Sequence, residues 1–163
     1  ILECEFCLKF LEDTKMVPGA ENKIGNYEAY IALELVSTRV HSDSKKGLDP
    51  VGMMNLNIAD NGGAGAIVVG DKIQNLDKID LDSIQVEINL NGKVTEPFFK
   101  GEKRAGPKLA IKCIIDEFKD DPVTFKKGDW FMTGSVIQPF KVNKGDKLKV
   151  DFRSLGKINL DFI

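Results

Sequence analysis

The chain has 163 residues, enough for one domain with a proper core, and its 23 Lys and Arg against 25 Asp and Glu leave a net charge of −2. The charges are interspersed, with no basic stripe and no aromatics interleaved with arginines, which argues against a nucleic-acid partner. No apolar stretch approaches the ~20 residues of a membrane span and no signal segment opens the chain, so a soluble, cytoplasmic protein without membrane contact is expected.

The opening Ile1-Leu2-Glu3-Cys4-Glu5-Phe6-Cys7-Leu8 reads as a strand. Side chains two apart share a face, so Glu3 and Glu5 point one way while Leu2, Cys4 and Phe6 pack on the other. Cys4 and Cys7 then lie on opposite faces. With no second pair and no nearby histidine they read as core cysteines rather than zinc ligands. The turn-rich stretch around Val17-Pro18-Gly19 leads into a short helix predicted near 22–30, despite Gly25. A strand follows with Glu34 inside the apolar run Tyr30-Ile31-Ala32-Leu33-Glu34-Leu35-Val36. A carboxylate there needs a partner, either a lysine or Arg39, or a cation. Three carboxylates together suit a hard ion such as Mg²⁺; taken singly, Glu3 and Glu5 also fit the solvent face of a half-buried strand.

Residues 41–57 read as a long loop with Asp49-Pro50-Val51-Gly52 as a turn signal, and long loops in compact domains are often functional. His41, the single histidine, precedes a polar stretch and reads as a surface residue; being alone, it excludes a multi-histidine metal site. Ala59-Asp60-Asn61-Gly62-Gly63 is a glycine-rich turn running into an apolar strand that ends at Gly70-Asp71, without the lysine or glycine spacing of a nucleotide loop. Residues 84–90 alternate, and Asn91-Gly92 followed by Lys93-Val94-Thr95-Glu96 predicts a type I′ hairpin. Pro107 opens a helix to about Phe118, with Leu109, Ala110, Cys113, Ile114 and Phe118 predicted on its core stripe. Strands are expected at 129–133, 148–152 and 158–163, the last two joined by a turn at Ser154-Leu155-Gly156. Many strands and two short helices predict a mainly β, α+β domain, a rolled mixed sheet or distorted barrel.

Four motifs fall in one order: Glu3-x-Glu5; Glu34 with Arg39 five residues on; Ala59-Asp60-Asn61; and Met132-Thr133-Gly134-Ser135 before Val142-Asn143-Lys144-Gly145-Asp146. Over nearly the whole chain this order and spacing resemble the fumarylacetoacetate hydrolase superfamily. Gly70-Asp71 after its apolar strand and the closing Leu155-Gly156-x-Ile158-x-Leu160-x-Phe162 look like the hydratase and decarboxylase branch of that family.

The resemblance implies a single catalytic-barrel domain over 1–163 of the family's C-terminal type, with the family's N-terminal region absent. It implies that Glu3, Glu5 and Glu34 hold one Mg²⁺ or Mn²⁺, that Arg39, Thr133 and Ser135 orient a small 2-oxo or 2-hydroxy-dienoic acid, and that Asp60 places a water or proton-transfer partner. The implied activity is hydration of a 2-hydroxypenta-2,4-dienoate type of substrate to a 4-hydroxy-2-oxo acid. Decarboxylation or acylpyruvate hydrolysis are the alternatives within the family. Homo-oligomerisation, or association with a missing N-terminal part, is expected as well. Several positions depart from the family pattern. Its Asp-Ser-Arg reads Ser37-Thr38-Arg39, its Gly-His-Pro reads Ala105-Gly106-Pro107, and Gly63 stands for its serine after Ala-Asp-Asn. These departures suit a third reading, a non-catalytic relative that binds a metal, a small acid or a protein partner.

Overall fold

The computed structural model describes residues 1–95 and 105–163. In chain order the elements are β1 (Leu2–Phe10), β2 (Thr14–Lys15), β3 (Tyr27–Val36), α1 (Pro50–Ala59), β4 (Ala64–Lys72), β5 (Glu87–Leu90), β6 (Lys93–Thr95), α2 (Pro107–Glu117), β7 (Thr124–Phe125), β8 (Trp130–Met132), β9 (Lys147–Asp151) and β10 (Lys157–Asp161). One sheet has the order β4-β3-β1-β8, a second β10-β9-β5-β6, and β2 pairs with β7. No helix among the described residues is long and apolar enough to cross a membrane.

Alternation in β1 organises the molecule. Leu2, Cys4, Phe6, Leu8 and Phe10 are at most 1% exposed, so one face of the central strand lies wholly in the core. Tyr27, Ala29, Ile31 and Leu33 of β3 join them there. Opposite stand Ile88 of β5, Leu148 and Val150 of β9 and Ile158 of β10, and the Phe6 and Phe152 rings meet across the interior at 5.9 Å between centroids. The expected mainly β, α+β class holds, but every pairing is antiparallel and the described strands form open sheets rather than a mixed sheet or a closed barrel.

The type I′ hairpin is present: Asn91 and Gly92 have φ of 54° and 87°, and Leu90 stands opposite Lys93. Glu96, the last residue of that motif, lies outside the described residues. Three local expectations need correction. No helix spans 22–30; two single 3₁₀ turns are followed by β3, because Tyr27, Ala29, Ile31 and Leu33 continue a period of two. α1 begins within the expected 41–57 loop and runs beyond it, for Asp49 caps the helix by accepting from Gly52 N–H at 2.7 Å and Pro50 opens it. In α2 the buried residues are Pro107, Ile111 and Ile115, whereas Leu109, Cys113 and Phe118 are exposed. Two overlapping apolar stripes compete there, and the β-branched one packs.

The two sheets approach closely at Gly70. A Cβ there would lie 2.8 Å from Ile31 Cγ1 and 2.9 Å from Ile158, while a Cβ on Gly156, at φ +127°, would lie 2.8 Å from the Asp71 carboxylate. The Gly70-Asp71 and Leu155-Gly156 motifs are thus one contact between β4 and the turn before β10. Gly70→Ala should destabilise by about 1–3 kcal/mol through overpacking. Gly25→Ala, with nothing within 4 Å of its Cβ position, serves as control and should stay within about 0.5 kcal/mol. Urea denaturation midpoints compare the two, and equal midpoints would contradict the close approach.

Candidate metal centre

The face of β1 turned away from the core carries Glu3, Glu5, Cys7 and Lys9. In the antiparallel register Glu3 stands opposite Glu34 of β3 and Glu5 opposite Ala32, so the three glutamates gather on one side of the sheet. One carboxylate oxygen from each lies within 4.8 Å of the others. Glu5 is 1% exposed; Glu3 and Glu34 are half-buried.

After β8 the chain continues along the edge of β1: the Thr133, Val136 and Phe140 N–H groups donate to the carbonyls of Phe6, Cys4 and Leu2 at 3.1, 2.9 and 3.2 Å. Gly134 steps out of this ladder at φ +87°, and its N–H donates to Glu5 Oε2 at 2.8 Å. Among the described residues no Lys, Arg or His lies within ion-pair distance of any of the three glutamates. Burial therefore pushes the Glu5 carboxyl up to about 8, against the Gly134 hydrogen bond, with the charge of Glu34 adding to it. Burial and then Glu34 raise Glu3 as well. On the same face Cys7 is pushed up to about 11 by burial and by Glu5, which makes it an inert thiol.

The structure places Arg39 and Asp60 together. Arg39 Nε lies 3.0 Å from Asp60 Oδ1, its guanidinium also donates to the Asp60 carbonyl and, at 2.8 Å, to that of Ala64, and its backbone N–H donates to the same carboxylate. Thr38 Oγ1 donates to Asp60 Oδ2 at 2.6 Å. That hydrogen bond, with those from Arg39, holds the Asp60 carboxyl below its usual range. Arg39 does not pair with Glu34, but it anchors Ala64, which with Glu34, Gly65, Ala66 and Ile67 borders a recess of about 250 Å³. The hydroxyl of buried Thr133 donates to Phe6 O at 3.1 Å and that of Ser135 to Ile137 O at 2.9 Å. The Gly134 N–H between them is the group that reaches the carboxylates, and a backbone donor of this kind leaves no side-chain signal beyond the glycine itself. His41 is exposed, with Nδ1 accepting from Asp43 N–H.

No family model matches the chain. The chain is 24% identical over 132 residues to a 2-oxo-hept-4-ene-1,7-dioate hydratase of Escherichia coli, covering 81% of this chain and 49% of that protein. It is 24% identical over 106 residues to a 4-oxalocrotonate decarboxylase of Pseudomonas putida, covering 65% and 40%. The solved structure of 4-oxalocrotonate decarboxylase from Pseudomonas putida G7, complexed with magnesium and adipate, matches with a TM-score of 0.73 at 18% identity over 99% of this chain and 60% of that one. The fold is therefore of the fumarylacetoacetate hydrolase type, as the ordered motifs implied. The curated relatives it matches include a hydratase and a decarboxylase, a further structural neighbour from Yersinia pestis is described as a fumarylacetoacetate hydrolase family protein, and the chain spans about half the length of the curated relatives it matches.

Because Glu5 and Glu3 take up protons on folding more readily than in the unfolded chain, stability without a cation is greatest on the acidic side and falls as pH rises through the window from ordinary carboxylate values to about 8. In EDTA the Tm should be higher near about pH 5.5 than near about pH 8.5, and Glu5→Gln should shrink that difference. A wild-type Tm that rises with pH across this window, or a slope unchanged by Glu5→Gln, would contradict the assignment.

Proposed function

We propose that Glu3, Glu5 and Glu34 bind one divalent cation, Mg²⁺ or Mn²⁺, and that the chain acts there on small 2-oxo or 2-hydroxy-dienoic acids as a hydratase-like lyase. The observation that carries this is the convergence of three carboxylates, one of them buried, with no basic partner among the described residues. Their chemistry fits the ion: three oxygen donors suit a hard cation, and a cation compensates carboxylates that burial first, and the charge of Glu34 after it, push toward protonation. The structural neighbour crystallised with magnesium, and another with calcium, support a divalent ion at a site of this fold.

When bound, the ion supplies Lewis-acid stabilisation for charge developing on the 2-oxo or enol oxygen of the substrate. The chain's own residues hold and orient. Gly134 N–H fixes one oxygen of Glu5 and so sets which oxygen faces the cation. Arg39 retains N–H donors beyond its three anchored contacts and, held to the carbonyl of Ala64 that borders the recess beside Glu34, is the candidate for the substrate carboxylate. Thr133 and Ser135 frame the Gly134 turn from either side. Asp60 is ionised and fixes Arg39; it is also the candidate for placing a water or proton-transfer partner. Decarboxylation of a 2-oxo acid would call on the same arrangement. The exposed apolar Val51, Met54 and Ile58 of α1 support association with another polypeptide, in keeping with the expected oligomer or added segment.

A second reading, a relative that binds metal and acid without turnover, is favoured by Gly106. Where the family pattern has histidine, a side chain in this chain would collide with the carboxylate of Asp82.

Millimolar Mg²⁺ or Mn²⁺ is expected to raise the Tm by mass action, and Glu34→Gln to abolish the rise. A shift that survives Glu34→Gln would refute the site. Calorimetric titration with pyruvate or oxalate should show binding in Mg²⁺ and none in EDTA; equal binding in both would assign the acid to Arg39 or lysines alone. Loss of dienol absorbance with Mg²⁺ present separates hydratase from silent binder.

A further inference from the structure

Among the described residues the second sheet ends at the short hairpin strand β6, and there its inner face changes character. The register sets Ile88 opposite Val150 of β9 and Thr95 of β6, and Leu90 opposite Leu148 and Lys93. Opposed residues share a face, so Lys93 and Thr95 stand on the face that buries Ile88, Leu148 and Val150, yet both are exposed. The core does not continue across β6.

A cavity of about 240 Å³ opens there instead, lined by Ile88, Leu90, Lys93, Thr95, Phe140 and Lys141. Its body is apolar: Ile88 is buried, and Leu90 and Phe140 are half-buried and pack against the core. Phe140 is tied to the central strand, for Leu2 N–H donates to its carbonyl at 2.8 Å and its own N–H donates to that of Leu2 at 3.2 Å. No carboxylate lines the cavity, and exposed Lys93 and Lys141 have no ion-pair partner among the described residues. Lysine stems add to an apolar wall while their ammonium groups stay in water, which makes the cavity apolar inside and cationic at its mouth. An inward lysine on an edge strand also guards that edge against pairing, but Lys141 lies on no strand and lines the same cavity.

We propose that this cavity binds an amphipathic monocarboxylate of the size of octanoate, its chain over Ile88, Leu90 and Phe140 and its carboxylate at Lys93 and Lys141. By the measure on which a cavity of about 150 Å³ takes up benzene, this one holds roughly ten non-hydrogen atoms. Each methylene removed from water favours binding, and the two ammonium groups select an anionic head. Leu2, which holds Phe140, faces the core, whereas Glu3 faces away from it, so the cavity is separate from the carboxylate cluster and independent of the metal reading.

The test uses octanoate and 1-octanol, which share a chain and differ in the charge of the head, titrated by calorimetry into the intact chain. EDTA is present, so that no cation at the glutamates can hold the carboxylate. Octanoate is expected to bind about three- to tenfold more tightly than octanol, the scale of exposed charge pairs, with a preference that shrinks as salt is raised. Lys93→Gln combined with Lys141→Gln should bring octanoate down to the affinity of octanol, and, both positions being exposed, should leave the Tm near that of the native chain. In ¹H–¹⁵N spectra octanoate should shift the amide signals of Leu90, Thr95 and Lys141. Failure of octanoate to bind, equal affinity of the two probes, or a preference that persists in the double variant would overturn the proposal. Binding that leaves those three signals unmoved would overturn it too, and none of these outcomes bears on the metal reading.

Discussion

Three carboxyl groups within 4.8 Å of one another repel, and the rest of this site depends on how that repulsion is met. At an effective dielectric of about 20, two full charges at such a distance raise the energy by roughly 3 kcal/mol, a large part of a domain's total stability. No lysine or arginine of the described chain relieves it. One backbone N–H, from Gly134, touches one of the oxygens. Two outcomes remain open to the folded chain: to keep protons on Glu5 and Glu3, or to hold a cation. Burial first, and this repulsion after it, raise their pKa values, and a cation turns the same strain into affinity, because removing the protons and the repulsion together is what a divalent ion does.

The fold places the burden on β1. Its core face anchors two sheets through Leu2, Cys4, Phe6, Leu8 and Phe10, so the strand cannot slip by one residue without turning these five side chains outward and the glutamates inward. Register and site are therefore fixed by the same pairing, Glu3 opposite Glu34 and Glu5 opposite Ala32. The close approach of Gly70 to Ile31 and Ile158 locks the outer strand β4 to the second sheet and with it the recess beside Glu34. With identity to these structural neighbours at 18% and 14%, what the likeness shows is the fold.

Much of this was legible before any coordinates. A period of two in Leu2, Cys4, Phe6 and Leu8 assigns Glu3 and Glu5 to one face, and the apolar neighbours of Glu34 mark it as a carboxylate in need of a partner. The hairpin at Asn91-Gly92 is likewise local chemistry. What escaped was of two kinds. Some signals were ambiguous: Asp49-Pro50 starts a helix as readily as a turn, α1 buries no residue and so shows no stripe, and Tyr27 to Tyr30 fits a helix until the alternation through Leu33 is followed. Other features arise only in three dimensions. The Arg39–Asp60 pair joins residues 21 apart, and the donor that reaches Glu5 is a main-chain group 129 residues away.

The position of a bound ion tests the carboxylate cluster most directly. A crystal of the chain soaked in Mn²⁺ and measured at the manganese absorption edge should show one anomalous peak within about 2 Å of an oxygen of each of Glu3, Glu5 and Glu34. A peak confined to other acidic residues, or none at these three at millimolar Mn²⁺ and neutral pH, would contradict a metal centre built on β1 and β3.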